Sequence, residues 1–498
     1  MTIPFNTVPG KLRTPLFYAE MDNSQANTAT ANQITLIIGQ QLDSALQQPG
    51  IPFLASSVST VGGLCGYGSM VHAMMAAYLK NDTAGLIYIL PVADGKATVA
   101  ASGKITITSP ATASGTLSVY IAGERVQIAV LSTDAIEIAA AALAAEINAT
   151  TRLPVTAASA DGVVTLTAKN KGAHGNQIDI RLNFGGTAAG EATPAGLAVT
   201  VTAMSGGSGT PALDDALANY GDKGADFIIN PYTDSTSLNA VKSWLSDATG
   251  RWSYSSQLYG HALSFISGTY GELTAAGEAR NDQHASLIGV YDSPTPPWVW
   301  AAAAYGSAAV SLRNDPGRPL QTLTVSGVLA PPLPSRFDQP ERNNLLYSGI
   351  STVTVADDDT VALENVITTY QKNSYGDADD SYLEIETLFL LMYVTRFLRS
   401  AITSKFPRMK LAADGTRFAP GSAIVTPSTI KAELIAQYKT LEKNGYVQDS
   451  KSFAAALKVE QNSTNVNRVD VLFPGTLINQ LRVFALLNQF RLKAADSQ

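Results

Sequence analysis

The sequence ITLII at residues 34–38 is a continuous apolar run of strand length, and LIYIL at residues 86–90 is a second one. Runs of this kind predict strands that are buried on both faces. Between them, residues 69–80 predict a helix with apolar side chains on one side, namely Val71, Met74, Met75, Tyr78 and Leu79. Strand, helix and strand in this order indicate an α/β domain.

The same alternation resumes further along the chain. The pattern predicts helices over residues 213–220, 238–248 and 298–312, and strands over residues 226–230 and 286–291. Because helices and strands alternate in both segments, we assign the two segments to one domain. We therefore predict a split α/β domain that comprises residues 31–91 and 209–334.

The intervening segment, residues 92–208, is poor in charge and has a different pattern. One helix is predicted over residues 134–148, and Asp134 and Glu137 have capping-box spacing at its start. We interpret the segment as an inserted β-rich module that ends in a flexible Ser-Gly joint at residues 205–209. Alternating runs predict strands over residues 104–108, 116–121, 125–131, 163–168, 177–182 and 197–203, with a hairpin turn at Asp161-Gly162.

Residues 335–468 predict an α+β C-terminal domain. Ser381 and Glu384 have capping-box spacing at the start of a helix that ends before Pro407. A second helix is predicted over residues 427–444, with proline in its first turn and glycine just past its end. The sequence as a whole therefore indicates a multidomain protein with α/β and α+β parts.

The two ends of the chain are predicted to be extended arms. Residues 1–30 contain prolines at positions 4, 9 and 15, which oppose a helix, and apolar side chains with no local partner. In the C-terminal arm, residues 469–498, the runs 469–473 and 481–492 predict strands, and the second run is apolar on both faces. Periodicity alone also allows a helix over residues 477–490.

Terminal strands that lack cover in their own chain favour strand exchange between subunits, in which main-chain hydrogen bonds complete a neighbouring sheet. When donor and acceptor are different surfaces, such contacts build rings or helices. The residues assigned to these intersubunit arms are Phe5, Val8, Leu12, Leu16, Phe17, Val469, Val471, Phe473, Leu481, Val483, Phe484, Leu486 and Phe490.

Composition excludes several classes of protein. The 498 residues carry a formal net charge of −7 and only 15% are charged, which argues against a nucleic-acid-binding protein. The single cysteine, Cys65, allows no intramolecular disulfide, and four histidines leave little material for a metal cage. We find no secretory signal and no run long enough to span a bilayer, so we expect a soluble protein made in a reducing cytoplasm.

Motifs for chemistry are sparse. Residues 63–69 (GLCGYGS) resemble a phosphate-binding loop, but Ser69 occupies the position of the required lysine, so a tight turn into a helix is the simpler interpretation. The histidines, His72, His174, His261 and His284, are scattered, and a Ser-His-Asp triad could form only by assembly in space. Acidic runs 357–359 and 377–380 predict a turn and helix capping, with a weak calcium site as the alternative. We expect no catalytic residue, cofactor or metal.

Several longer strings resemble the contractile tail sheath proteins of Mu-like bacteriophages. The resemblance is dense over residues 1–90 and 335–498 and looser over 212–334, and residues 92–208 carry no shared motif. The strings are IPFNTVPGKLRTPLFYAEMDNS (3–24), GISTVTV (349–355), ITTYQKN (367–373), KFPRMKLAADGTRFAPG (405–421), IVTPSTIKAELIAQY (424–438) and NRVDVLFPGTLINQLRVFALLNQFRL (467–492).

The resemblance implies a subtilisin-like α/β domain without a working triad, and therefore a protein that is not an enzyme. It further implies strand-exchanging arms, a C-terminal domain that faces the tail tube, and an insert on the outside. The implied partners are further copies in stacked hexameric rings, the tail tube, the baseplate and the tail terminator. The implied location is the virion tail, after assembly in the host cytoplasm, and contraction would drive the tube through the host envelope.

No motif assigns the contact with the tube. The helix predicted over residues 427–444 presents mixed charge, and an ordinary solvated face is the alternative interpretation. A different function is a surface-binding protein whose 92–208 module recognises host carbohydrate, and a third is a degenerate subtilisin-like hydrolase. The tube-facing candidates are Lys431, Glu433, Lys439, Glu442 and Lys443.

Overall fold

The computed structural model describes residues 33–492. Both apolar runs at the start of the chain form the predicted strands, and Ser69 caps the predicted helix by accepting a hydrogen bond from the amide of His72. The elements in this part are β1 (Ile34–Gln40), β2 (Phe53–Ala55), α1 (Val58–Cys65), α2 (Met70–Leu79) and β3 (Leu86–Val92).

The insert, residues 92–208, contains two antiparallel sheets and one long helix. Its helix begins at Ile136 without a side-chain cap, so the predicted capping box is wrong; Asp134 instead accepts a hydrogen bond from the amide of Leu131. The run at 177–182 is a strand only in its second half. The elements are β4 (Ser102–Ser109), β5 (Gly115–Ile121), β6 (Glu124–Val130), α3 (Ile136–Ala149), β7 (Val155–Ala160), β8 (Val163–Ala168), β9 (Ile180–Leu182) and β10 (Ala198–Ser205), with 3-10 turns at Ala173–Gln177 and Thr187–Ala189.

Helices and strands alternate again after the insert. Asp234 caps one helix, and capping boxes begin two others, formed by Thr269 with Glu272 and by Asp338 with Glu341. The elements are α4 (Asp214–Tyr220), β11 (Phe227–Ile229), α5 (Ser235–Leu245), β12 (His261–Ser267), α6 (Tyr270–Glu278), β13 (Ala285–Val290), α7 (Pro297–Asn314), a 3-10 turn at Leu333–Ser335, α8 (Gln339–Tyr347), β14 (Ile350–Val355) and β15 (Val361–Asn365).

The last part of the chain packs around two long helices. The first begins at Ile385 with Glu384 as its N-cap residue and no side-chain cap, so the capping box predicted at Ser381 is wrong. Ser381 contacts the carboxylate of Asp379 instead. The elements are α9 (Ile385–Lys405), β16 (Lys410–Leu411), β17 (Ile424–Val425), α10 (Pro427–Lys443), β18 (Val447–Gln448), α11 (Ser450–Ala456), β19 (Lys458–Gln461), β20 (Val469–Leu472) and β21 (Thr476–Leu477).

One eight-stranded sheet joins both segments of the split domain, in the order β15-β14-β13-β12-β11-β1-β3-β2. The six strands from β14 to β3 are parallel, and the two edge strands are antiparallel to their neighbours. The insert leaves after β3 and returns before α4. The sheet extends past the boundary predicted at residue 334, because β14 and β15 are its last two strands. We call this sheet and its helices the α/β body.

The core of the α/β body is built around α7. Trp298, Trp300 and Tyr305 are all buried, and the helix packs against α2 and β12. A second apolar cluster lies in the C-terminal part, where the ring of Tyr438 stacks on Phe453. Within residues 33–492, no helix combines the length and apolar character needed to cross a bilayer.

Candidate functional site

The insert covers the second half of the glycine-rich stretch at residues 63–69, where the chain turns from α1 into α2. The amide of Met70 donates to Oδ1 of the buried Asn170 at 2.9 Å, and the amide of Gly68 donates to Nδ1 of His72 at 3.3 Å. Amides at the start of a helix lack partners within it, and this is where a phosphate loop binds its anion. Asn170 is a neutral group of the same chain, so this loop serves as a packing surface for the insert.

Gly68 is required by this packing. Its φ of +80° lies in the left-handed region, and an added Cβ would collide with the carbonyl oxygen of Leu153. The ammonium of Lys169 donates to the carbonyl oxygens of Tyr67 at 3.2 Å and Thr151 at 2.8 Å across the same junction. The glycine therefore allows two parts of the chain to approach closely.

Charged and amide groups hold the insert to the α/β body at two further places. Nε2 of Gln40 in the body donates to the carboxylate of Asp94 at 2.5 Å and to the carbonyl oxygen of Lys171 at 2.8 Å, both in the insert. At the other place, Arg181 pairs with Asp292 at 2.6 Å. These contacts fix the orientation of the insert on the body.

The predicted flexible joint at residues 205–209 is wrong. Ser205 belongs to β10, and Val99 and Ser208 exchange backbone hydrogen bonds of 3.0 and 3.2 Å. The amide of Gly207 donates to Oδ1 of Asn176 at 2.8 Å. The segment is thus bonded along most of its length, although its composition is that of a linker.

The histidines pack separately. Nε2 of His261 lies 3.0 Å from Oγ of Ser286, and Nδ1 lies 3.0 Å from the phenol oxygen of Tyr305. All three residues are fully buried, and burial lowers the pKa of His261 to about 3. The third group is a phenol where a triad has a carboxylate. The four histidines complete no Ser-His-Asp triad within residues 33–492.

The two acidic runs have different structures. Oδ1 of Asp358 accepts the amide of Thr360 at 3.0 Å, and Asp359 pairs with Arg336, which confirms the predicted turn. In the run 377–380, Asp379 accepts hydrogen bonds from the amide of Ser381 and the phenol of Tyr370, and none of its residues caps α9. The helix-capping interpretation of this run is therefore wrong. Residues 33–492 contain no group of three or more side chains arranged to hold a metal ion.

The most unusual surface is formed by residues 483–492, which we call the uncovered segment. Within this chain it is neither the predicted strand nor the alternative helix. Six large apolar side chains are between 75% and 93% exposed, a fraction that isolated surface residues reach but contiguous runs rarely do. These side chains are Val483, Phe484, Leu486, Leu487, Phe490 and Leu492.

The other arm candidates lie in varied environments. Leu481 is exposed, and Val469 and Val471 lie in β20, whose one partner strand in the described part of the chain is β19. Phe473 instead packs inside the C-terminal cluster against Tyr438 and Phe453. The N-terminal candidates fall outside the described residues; they are Phe5, Val8, Leu12, Leu16 and Phe17.

The five tube-facing candidates on α10 differ in whether their charged groups are exposed or already bonded within the subunit. Glu433 is buried and pairs with Lys405, and Oε1 of Glu442 accepts the amide of Ser450 at 2.8 Å. Both carboxylates thus act within the subunit. Lys431 is half-buried, whereas Lys439 and Lys443 are exposed.

Sequence reasoning misses three important residues, Asn170, Glu386 and Arg482. Each makes its contacts with parts of the chain about a hundred residues away, so no local pattern marks them. The only signal is that Arg482 is charged within an otherwise apolar run.

Comparisons with known proteins give a consistent result. The phage tail sheath protein central domain matches residues 206–369, and the phage tail sheath C-terminal domain matches residues 377–491. The Mu-like prophage FluMu tail sheath protein of Haemophilus influenzae is 40% identical over 494 residues, which cover 99% of this chain and 100% of that protein.

Two solved structures are similar to this chain over most of its length. A sheath tail protein from Desulfitobacterium hafniense is 14% identical, with 94% of this chain and 97% of that chain covered and a TM-score of 0.47. A sheath tail protein from Listeria innocua is 13% identical, with 91% and 94% covered and a TM-score of 0.48.

The family and sequence matches define a structural protein of the contractile phage tail. Within that class, the chain belongs to the phage tail sheath proteins. The resemblance to the sheath proteins of Mu-like phages is thereby confirmed.

Proposed function

We propose that this chain polymerises as stacked rings around a tail tube and that contraction of the stack drives the tube through the host envelope. The observation that carries the proposal is the uncovered segment, whose six apolar side chains have no cover within the described subunit. A second copy of the chain would supply that cover.

The energetics favour many such contacts per subunit. Full burial of one large apolar side chain contributes roughly 1.5–3 kcal/mol, so six contribute on the order of 10 kcal/mol. The loss of rotational and translational freedom on association costs about 4–15 kcal/mol. A single arm is therefore marginal. A subunit that joins a lattice by donating one arm and accepting another at the same time gains about twice this burial for one association cost, which makes the lattice stable.

The hairpin formed by β19 and β20 is a suitable acceptor. Among residues 33–492 it contains two strands, so each strand has an edge that no other described strand covers. The amide of Asn462 donates to the carbonyl oxygen of Arg468, so these two residues form a hydrogen-bonded pair of the hairpin. Because such pairs alternate with non-hydrogen-bonded pairs, Val459 and Val471, which face each other, form a non-hydrogen-bonded pair whose backbone groups point away from the hairpin. These groups could bond an added strand.

The remaining assignments are parts of the same proposal. We assign residues 1–30 to the N-terminal arm, 31–91 with 209–365 to a subtilisin-like domain without catalytic activity, and 92–208 to the outer surface. Residues 366–468 are assigned to the tube-facing domain and 469–498 to the C-terminal arm, with the boundary moved from 334 to 365 because β14 and β15 belong to the sheet of the α/β body. Hexameric rings, contacts with the baseplate and tail terminator, and assembly in the host cytoplasm belong to this proposal. Among the tube-facing candidates, Lys439 and Lys443 are the exposed ones.

Sedimentation and negative-stain electron microscopy, with and without the cognate tail tube, test the proposal. We expect the wild type to form tubes or stacked rings. The double variant Phe484→Ser/Leu486→Ser should stay folded and unassembled, while Leu46→Ser, which changes an equally exposed leucine of the α/β body, should assemble normally. Assembly of the double variant at wild-type concentration would contradict the proposed role of the segment, and wild-type protein that stays monomeric with the tube present would overturn the function.

A further inference from the structure

Arg482 stands at the base of the uncovered segment and is mostly covered, unlike the residues on either side of it. Its Nη2 atom lies 2.7 Å from Oε2 of Glu384 and 2.7 Å from Oε2 of Glu386. The side chain is 16% exposed, whereas its neighbours Leu481 and Val483 are 71% and 80% exposed. Ion pairs thus hold the chain at Arg482, whereas the side chain of the next residue is exposed.

Glu386 connects this residue to two parts of the subunit. It lies in the first turn of α9 and is fully buried, and its Oε1 atom accepts the amide of Leu320 at 2.8 Å. Nε2 of the adjacent Gln321 donates to the carbonyl oxygen of Leu481 at 3.3 Å. The base of the uncovered segment is therefore bonded both to the start of α9 and to the loop that follows α7.

The charges make this contact specific. Two neighbouring carboxylates, one of them buried, require a cation, because an unpaired buried charge is strongly unfavourable. A guanidinium can bridge two carboxylates through its fixed donors, which a lysine ammonium does less well. In the described chain, Arg491 is exposed and forms no ion pair, although it lies on the same segment.

We propose that Arg482, held by Glu384 and Glu386, is a positioning residue that fixes the point at which the C-terminal arm leaves the subunit. The inference rests on the proposed function, because it assigns a role within assembly. The ion pairs hold the base of the arm against α9, so that residues 483–492 are presented to a neighbouring subunit from a defined place. Force on the arm then passes into the longest helix of the C-terminal part.

The test compares Arg482→Gln with the matched control Arg491→Gln, which removes the same charge from the same segment. Hydrogen exchange is measured on the unassembled full-length chain at the amide of Ile478, which donates to the carbonyl oxygen of Tyr446 at 3.2 Å. The concentration of half-maximal polymerisation on tail tubes is measured by sedimentation. We expect Arg482→Gln to raise both the exchange rate and this concentration at least tenfold. Arg491→Gln should match the wild type, and Arg482→Lys should restore part of the loss.

Loss of Arg482 leaves Glu386 buried without a cation, so Arg482→Gln could fail to fold. The double variant Arg482→Gln/Glu386→Gln avoids this, because an amide at position 386 still accepts the bond from Leu320. We expect it to fold and to assemble as poorly as Arg482→Gln. Wild-type exchange at the amide of Ile478, or wild-type assembly of the double variant, would overturn the positioning role. The exchange measurement does not depend on polymerisation, so it separates this failure from failure of the proposed function.

Discussion

At the residue scale, Gly68 and Gly63 lie in the same glycine-rich stretch but in different surroundings. Gly68 has φ of +80° and faces the insert, whereas Gly63 lies inside α1 with open space where a Cβ would go. We expect Gly68→Ala to destabilise the chain by more than about 1 kcal/mol, and Gly63→Ala to be neutral or stabilising by up to about 1 kcal/mol. Urea unfolding of both variants measures the difference, and equal effects would contradict the packing role of the loop.

Asn170 offers a second comparison. It accepts the amide of Met70 and donates to the carbonyl oxygen of Gln41 while buried. Asn148 also makes two backbone bonds, both with Ala157, but it is exposed. Because only the buried groups lose access to water, Asn170→Ala should cost about 1–3 kcal/mol of unfolding free energy and Asn148→Ala clearly less. Thermal unfolding compares the two, and a larger loss at position 148 would refute this account.

Buried neutral histidines predict a loss of stability in mild acid. Burial lowers the pKa of His174 to about 4 and that of His261 to about 3, both from 6.5. As the pH falls, the unfolded chain therefore binds these protons first, and stability falls from about pH 6.5 down towards pH 4. Each such group contributes a slope of up to about 1.4 kcal/mol per pH unit. His174→Gln should reduce the slope of unfolding free energy against pH, and an unchanged slope would exclude this residue as a source.

At the element scale, the sequence predicts most strands of the insert and the parallel strands β1, β3, β11 and β13, because their apolar runs are continuous or alternate cleanly. It misses β12, a central strand. That strand places two polar residues in the core. His261 forms hydrogen bonds with Tyr305 and Ser286. Ser264 accepts a hydrogen bond from the side chain of Asn230. A polar residue that is satisfied only by distant partners breaks the apolar pattern that predicts a buried strand.

The same limit explains the candidate site. The apolar character of residues 481–492 is evident in the sequence, and so is their need for cover. The role of Glu384 is not evident in the sequence. Its spacing from Ser381 suggests a capping box, whereas its carboxylate contacts Arg482, nearly a hundred residues away. Local patterns therefore identify an apolar run that needs cover, but not the residue that fixes its base.

Strand addition at the hairpin gives a prediction at this scale. Val471→Pro removes a backbone donor that points away from β19, so an added strand loses a bond while the hairpin keeps its own. We expect this variant to fold and to lose most of its assembly. Val471→Thr keeps the donor and should assemble as the wild type does. Sedimentation on tail tubes compares the two variants. Full assembly of the proline variant would contradict strand addition at the β20 edge and leave the β19 edge as the acceptor.

At the scale of the whole molecule, the contacts of Asn170, Asp94 and Arg181 join the insert to the α/β body. We therefore expect the insert and the body to unfold in one calorimetric transition. The alternative hypothesis, carbohydrate recognition by residues 92–208, stays a prediction that a glycan array with the full chain would test. A separate low-temperature transition, with early hydrogen exchange confined to residues 92–208, would contradict the single-transition expectation.

The hydrogen bonds between Val99 and Ser208 have a consequence for engineering and for evolution. They bring the outgoing and returning chain side by side, so a foreign domain could replace residues 100–207 without changing the spacing of the two ends on the body. Such a graft would lose Asn170 and leave the amide of Met70, at the start of α2, without its partner. Exchange of this insert between related chains therefore needs only two covalent junctions, and each new domain has to supply a partner for the amide of Met70 at the start of α2.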